Sequence, residues 1–344
     1  MSTNPNNIAD VILDSIKQSK KILLHCHPYP DPDSIGSVLS MDAALSKMGK
    51  NVTCIAGDSQ YPDYLNSLPN HDRIQKKSYS DIDPNEYDLF IILDSSSPSQ
   101  ISQKEGFVFP EGMKTIVIDH HKTNSKFGNI NLVDSESSST SEIIYKLFNT
   151  WGVEIEQNIA LYLLLGIFAD TGGLKYPNAT PETIKIFSEL SLIYPNYHPF
   201  VFEFENNKKP VELEMMGLAL SNLRKFYSDQ VVFSVVSNKE IKNRNISKED
   251  AMEGLIGNTL RSVVGWSVVA SLVEAEPNIV TVSLRTRDEN SYDVSVIAKS
   301  VGENGGGHRG AAGTTIHKPL EEAITDLSRT ISEFYPELEY RKTI

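Results

Sequence analysis

Lys21-Ile22-Leu23-Leu24-His25-Cys26-His27-Pro28-Tyr29-Pro30-Asp31-Pro32-Asp33-Ser34-Ile35-Gly36-Ser37 joins a short apolar run to a polar, proline-rich corner. Residues 21–26 have the length and β-branched content of a buried strand, and the prolines after them stop it. Residues 34–48 carry helical apolar spacing, and 51–56 read as a second strand. Further on, 89–93 and 115–118 are continuous apolar runs of strand length, as expected for strands covered on both faces. Helical patterns follow at 139–150, 157–168 and 181–194. Strands alternating with helices predict an α/β domain with a mainly parallel sheet.

The acids and histidines fall at the ends of these elements. His27, Asp31 and Asp33 follow the first strand, Asp94 ends the run at 89–93, and Asp119-His120-His121 ends the run at 115–118. Asp170, in Ala169-Asp170-Thr171-Gly172, ends a helix. In open parallel sheets, ligands bind in the crevice at the carboxyl ends of strands, so clusters placed there can converge. Singly, Asp31 and Asp33 read equally well as turn or cap residues. Together, carboxylates and imidazoles without thiolates form a hard donor set, better suited to Mn²⁺ or Mg²⁺ than to structural zinc.

Beyond Asn206-Asn207-Lys208-Lys209-Pro210, a polar break, residues 211–226 read as a connecting helix. A second, smaller α/β unit is predicted from strands at 230–236, 267–273 and 279–285, with helices at 248–261 and 320–333. Between them lies the glycine-rich run Gly305-Gly306-Gly307-His308-Arg309-Gly310-Ala311-Ala312-Gly313, read as a turn. The expected domains are 1–205, a linker at 206–228, and 229–344.

Of 344 residues, 40% are hydrophobic and 22% charged, which excludes a disordered chain. The net charge of −13 disfavours a grip on long nucleic acid, where many phosphates must be neutralised together. Cys26 and Cys54, in strand-like runs, read as core residues. Residues 1–19 are polar and helical, without the basic and apolar regions of a signal peptide. The apolar stretch 159–169 is too short to span a bilayer. A cytoplasmic protein without a membrane partner is expected; a homodimer is allowed.

The joint pattern resembles the DHH superfamily of phosphoesterases, named for the motif found here at Asp119-His120-His121. His27, Pro30, Asp31, Asp33, Gly36 and Ser37 fit its first motif, and Asp170-Thr171-Gly172 its fourth. The glycine-rich run and Ser283-Leu284-Arg285 resemble its associated C-terminal domain. The layout is similar to the nano-RNase and phosphoadenosine-phosphate phosphatase branch, although Pro32 replaces a usual Gly and Leu174 a frequent aromatic. The resemblance implies two divalent cations, Mn²⁺ before Mg²⁺. His27, Asp31 and Asp94 would hold one; Asp33, Asp94, His120 and Asp170 the other, with Asp94 bridging. It also implies that Asp119 orients His120, and that His121 contacts the substrate phosphate. Arg285, Gly306, Gly307 and His308 would bind substrate, whereas Arg287, Arg309 and Lys299 read as solvated charges. The expected substrates are short oligoribonucleotides or 3′-phosphoadenosine 5′-phosphate. A cyclic or linear dinucleotide is the enzymatic alternative, and a non-catalytic nucleotide sensor the alternative of another class. A pyrophosphatase or a nuclease of long single strands fits less well.

Overall fold

The computed structural model describes residues 5–58, 61–102 and 107–340, so the first four residues of the expected N-terminal helix lie outside it. Contacts divide the chain into two compact units, Met1–Asn207 and Lys208–Ile344.

In the first unit, helix α1 (Pro5–Gln18) precedes β1 (Lys21–His25), α2 (Pro32–Lys47) and β2 (Asn51–Ile55). Strands β3 (Ile74–Gln75), β4 (Leu89–Leu93), β5 (Lys114–Asp119) and β6 (Ile130–Val133) come next, then helices α3 (Thr140–Trp151), α4 (Gln157–Asp170), α5 (Pro181–Ile193) and α6 (His198–Glu205). All strand pairs are parallel, in the order β3-β2-β1-β4-β5-β6. Winding runs outward from β1 to β3, then restarts at β4 and runs the other way. The β1/β4 boundary is therefore a topological switch point, where neighbouring loops turn apart and leave a crevice.

Alternation along the central strands explains their unbroken apolar character. Ile22, Leu24, Leu89, Ile91 and Leu93 face a core shared with the helices, whereas Leu23, Phe90 and Ile92 face the opposite side. That second face is covered largely by aromatics, including Tyr79, Phe107, Phe109 and Phe127. His25 is fully buried there, edge-on to Phe90, and burial pushes its pKa down to about 4. Pro32 occupies the first turn of α2, where its missing N–H costs nothing, and Asp31 caps that helix by accepting from the Ser34 N–H.

The second unit contains α7 (Pro210–Ser221), β7 (Leu223–Phe226), β8 (Val231–Val236), α8 (Asn238–Asn243), α9 (Lys248–Ala251) and α10 (Gly257–Arg261). It continues through β9 (Val268–Glu276), β10 (Ile279–Thr286), α11 (Val294–Val301), β11 (Glu303–His308), β12 (Ala311–Ile316), α12 (Leu320–Phe334) and α13 (Glu337–Tyr340). The sheet order is β11-β12-β10-β9-β8-β7, antiparallel except for the parallel β8/β9 pair. One face packs on α11 and α12 through Val282, Leu284, Ile297 and Leu327. The other packs on α7 and the short helices through Met215, Val232, Leu260 and Val269.

Three expectations change here. The segment 206–228 is not a separate linker helix: the helix stops at Ser221, and Leu223–Phe226 pairs with β8. Met215, Leu218 and Ala219 are buried in the second unit's core, so tertiary pairing overrides a helical apolar pattern. The single helix expected at 248–261 is broken into α9, a 3₁₀ turn at Met252–Gly254, and α10, with Gly254 and Gly257 at the interruptions. The glycine-rich run is not a turn: its two halves are strands β11 and β12. Cross-strand pairing, which composition does not reveal, holds this glycine-rich backbone extended.

Candidate active site

At the carboxyl ends of β1, β4 and β5, the sequence-predicted acids and histidines of the first unit meet. His27, Asp31 and Asp94 present one donor atom each, all within 4.8 Å of one another; Asp33, His120 and Asp170 form a second such group. His27 Nε2 lies 3.3 Å from Asp94 Oδ2 and 3.6 Å from Asp31 Oδ1. His120 Nε2 lies 3.1 Å from Asp170 Oδ2 and 3.6 Å from Asp94 Oδ1. Asp94 thus turns one oxygen to each histidine. Its φ of 53° is left-handed, a conformation uncommon outside glycine but most tolerated by Asp and Asn. Tyr29 (φ 58°) and Leu174 (φ 64°), in the loops bearing His27 and Asp170, share it. Such backbone clusters at functional sites.

Neighbouring backbone fixes the ring orientations. His27 Nδ1–H donates to the Pro28 carbonyl at 2.9 Å, which leaves Nε2 facing the carboxylates. His121 Nδ1–H donates to Asp119 Oδ1 at 2.8 Å, so its Nε2 is turned away from Asp119. Asp119 also accepts the His120 backbone N–H at 2.9 Å and the Asn124 side-chain amide at 2.6 Å. Its carboxylate therefore orients the ring of His121 rather than that of His120, a correction to the expected role. The reason is local: at the end of β5 the Asp119 carboxylate folds back over the next two residues.

Asp33 is fully buried and accepts the backbone N–H groups of Thr140 (2.7 Å) and Ser141 (2.9 Å), the first turn of α3. Thr140 Oγ1 donates to Asp94 Oδ1 at 3.1 Å. Gly166 lets α4 pass this point: a Cβ there would stand 2.6 Å from Asp33 Oδ1 and collide with Ser141 Oγ. Beneath lies Glu142, accepting from Ser138, Thr183 and Lys146. Asn178 donates to the Asp170 carbonyl, and the Tyr176 ring lies against Gly172. The aromatic of this loop thus stands at 176 rather than at 174.

The electrostatics show what this arrangement seeks. Burial and the charges of Asp94 and Asp170 push the Asp33 carboxyl well above its ordinary range. Burial disfavours a charged His27, yet hydrogen bonding to Asp31 and Asp94 overrides it and pushes the pKa up to about 11. His120 is pushed up to about 10, against its burial, by Asp170, Asp33 and Asp94. Four carboxylates converge with too little positive charge among them. Oxygen-rich donors in mutual repulsion fit hard divalent cations, which would relieve that repulsion.

The second unit presents a different surface. Arg285 pairs with Ala311 across β10/β12, and Ala311 with His308 across β12/β11. Directly paired residues share a face, so Arg285 and His308 stand in one row about 10 Å apart. The adjacent row on that face is Ser283, Gly313 and Gly306, almost bare backbone. The three glycines have different reasons. A Cβ at Gly305 would strike the Ala298 carbonyl, and Gly307 has a φ of 129° with the Ala311 carbonyl 2.5 Å from any Cβ. At Gly306 a Cβ would meet nothing, so no packing demands glycine and the space remains open to a ligand. Arg285 is held by Asn258 Oδ1 (3.1 Å), Ser283 Oγ (2.9 Å) and the Leu284 carbonyl (2.8 Å).

The sequence did not single out Asn124, Thr140, Ser141, Tyr176, Asn178 or Asn258. The available signals were the serine-rich run 137–141, whose Ser139 caps α3, and the spacing Asp170 to Asn178.

Known proteins share this pattern. Residues 21–167 match the model of the DHH family, N-terminal domain, and residues 228–337 that of the DHHA1 domain. A bifunctional oligoribonuclease and PAP phosphatase from Thermus thermophilus is 31% identical over 304 residues, 86% of this chain and 84% of that protein. Its Bacillus subtilis counterpart is 27% identical over 94% of this chain and 98% of its own. The crystal structure of an exopolyphosphatase-related protein from Bacteroides fragilis superposes with a TM-score of 0.86 at 25% identity, covering 98% of this chain and 99% of the other. Both units are accounted for, and the chain belongs to the DHH family of metal-dependent phosphoesterases.

Proposed function

We propose that this hydrolase acts in the cytoplasm on short oligoribonucleotides and on 3′-phosphoadenosine 5′-phosphate, with two divalent cations, Mn²⁺ before Mg²⁺. The observation that carries the reading is the convergence of His27, Asp31, Asp33, Asp94, His120 and Asp170 at the switch point of a parallel sheet. His27, Asp31 and Asp94 would hold one cation; Asp33, Asp94, His120 and Asp170 the other. Bound in such a set, divalent cations neutralise phosphoryl oxygens and acidify water. The protein's own groups do the rest. Thr140 holds the bridging carboxylate, the first turn of α3 holds Asp33, and the hydrogen bond to Asp119 fixes His121 and raises its pKa, so that the Nε2–H of its imidazolium form donates to a phosphoryl oxygen. Arg285, His308 and the open backbone at Gly306 and Gly307 are the recognition groups. The substrate class rests on the activities named for the Thermus and Bacillus relatives and on the acidic character of the chain, which disfavours long strands. Among the described residues, no helix is long and apolar enough to cross a membrane.

Turnover with Mn²⁺ of diadenylate, 3′-phosphoadenosine 5′-phosphate, a cyclic dinucleotide, pyrophosphate and a long single strand tests this. Preferred hydrolysis of the first two, abolished by chelation, is expected. Preference for the cyclic dinucleotide or the long strand, or full activity in rigorously metal-free protein, refutes it.

A further inference from the structure

In a chain of net charge −13, most described arginines stand beside carboxylates. Arg73 pairs with Asp42, Arg224 with Glu321, Arg244 with Glu214, Arg309 with Asp293 and Arg329 with Asp326. Among the described residues, Arg261, Arg285 and Arg287 have no such partner, and these three occur together. Arg285 Nε–H donates to Asn258 Oδ1 at 3.1 Å, and Arg287 Nη1–H to the Ser262 carbonyl at 2.7 Å, next in sequence to Arg261. Arg261 makes no hydrogen bond or ion pair to another described residue. Asn258, Arg261, Ser262, Thr286 and Arg287 line an open surface depression of about 360 Å³. Burial and the Arg261 charge both lower the pKa of Arg285, so the like charges sense one another. Converging guanidinium groups without a carboxylate repel, and an anion with several oxygens relieves that repulsion through their forked donors.

We propose that Arg261 and Arg287, beside Arg285, form a second anion subsite for an additional phosphate group of the nucleotide. This deepens the nucleotide reading above and rests on it. Arg287, expected from sequence to be merely solvated, thereby becomes a specificity residue. The subsite discriminates a nucleotide bearing two phosphate groups from one bearing a single phosphate, and its local extent matches small substrates rather than a polynucleotide track.

Equilibrium binding to the full chain in excess chelator, where no turnover occurs, provides the test. The probes are adenosine 5′-monophosphate, adenosine 3′,5′-bisphosphate and 5′-phosphorylated diadenylate. A charge-assisted contact predicts that the wild type prefers the bisphosphate to the monophosphate by roughly tenfold or more. In the double variant Arg261→Gln/Arg287→Gln that preference should fall to about twofold or less, with monophosphate affinity kept. The double variant Arg244→Gln/Arg329→Gln, which removes the same two charges from paired arginines elsewhere, should leave it intact. Loss confined to the bisphosphate assigns the subsite to a terminal monoester; parallel loss for diadenylate assigns it to any second phosphate. A wild type without the preference, or a double variant that retains it, overturns the subsite. Failure of the nucleotide reading is seen separately, as absence of Mn²⁺-dependent hydrolysis of every nucleotide by the wild type.

Discussion

The two regions proposed to carry this protein's chemistry are built from opposite charges and opposite degrees of enclosure. In the first unit, Asp33 and Asp94 are buried where strand ends and the start of α3 meet, and every oxygen is surrounded by other donors and acceptors. In the second unit, His308 is exposed, Gly306 faces open space, and Arg261, Arg285 and Arg287 have no carboxylate partner among the described residues. The difference is physical. Buried carboxylates hold cations in fixed geometry only when hydrogen bonds restrict their rotamers, which requires rigid elements around them. A recognition surface for anions works from long, forked side chains over bare backbone, and it tolerates solvent.

The largest effect should come from Asp94→Ala, which removes the carboxylate lying between the two donor groups. Several kcal/mol of transition-state stabilisation are at stake, so kcat is expected to fall by about a thousandfold or more. Metal uptake measured by calorimetry should fall as well; near-normal turnover would show that Asp94 does not bridge. Gly166→Ala comes next. It adds only one methyl, but drives it against Asp33 and Ser141. Overpacking of this kind costs about 1–3 kcal/mol of stability, visible in denaturant melts, and should also weaken metal binding.

On the recognition side, Arg285→Ala should reduce kcat/KM for a dinucleotide by roughly ten- to a hundredfold, the worth of a charge-assisted contact. Metal uptake and turnover of a small phosphodiester lacking a base should be spared. An equal defect on both substrates would make Arg285 structural and dissolve the contrast. Gly306→Ala should be milder still. With nothing within 4 Å of the new methyl, the melting curve should not move, while KM for nucleotides rises by a few fold. A melting shift as large as that of Gly166→Ala would mean that Gly306 is held by packing after all.

A last effect, on stability rather than turnover, tests the frame beneath these acids and histidines. Burial disfavours the Glu142 carboxylate, yet Lys146, Ser138 and Thr183 more than offset this and hold its pKa below the ordinary value. Its stabilisation is therefore full above the unfolded carboxyl pKa, about 4.3, and is lost as pH falls through the lower folded value. Lys146→Met should cost about 1 kcal/mol near neutral pH, a modest figure because Lys146 is one-third exposed and water screens it. The difference from wild type should close as the pH drops below about 4. A pH-independent difference would assign the loss to packing of the lysine stem.

Elements with a strong local signal were legible in the sequence. The apolar strands at 21–26 and 89–93, the start of α2 and the helix ending near Asp170 lie within a few residues of expectation. The six acids and histidines meet at one edge, because in a parallel sheet all strands end on the same side. A loop leaving one strand therefore shares an edge with the loops leaving its neighbours. The short or weakly patterned elements β3, β6 and α8 were not legible, since their stability comes from neighbours rather than from periodicity.

Sequence by itself determined the donor chemistry, the alternation of strands and helices, and the edge on which these acids and histidines collect. Tertiary structure alone decided which ring Asp119 orients, because that depends on how the chain bends within two residues of β5. It alone decided that the glycine run is paired strand, because hydrogen bonding across β11 and β12 leaves no trace in composition. It alone brought Arg261 and Arg287 beside Arg285 and left all three without a carboxylate partner among the described residues, because ion pairing is settled by three-dimensional neighbours and not by spacing along the chain.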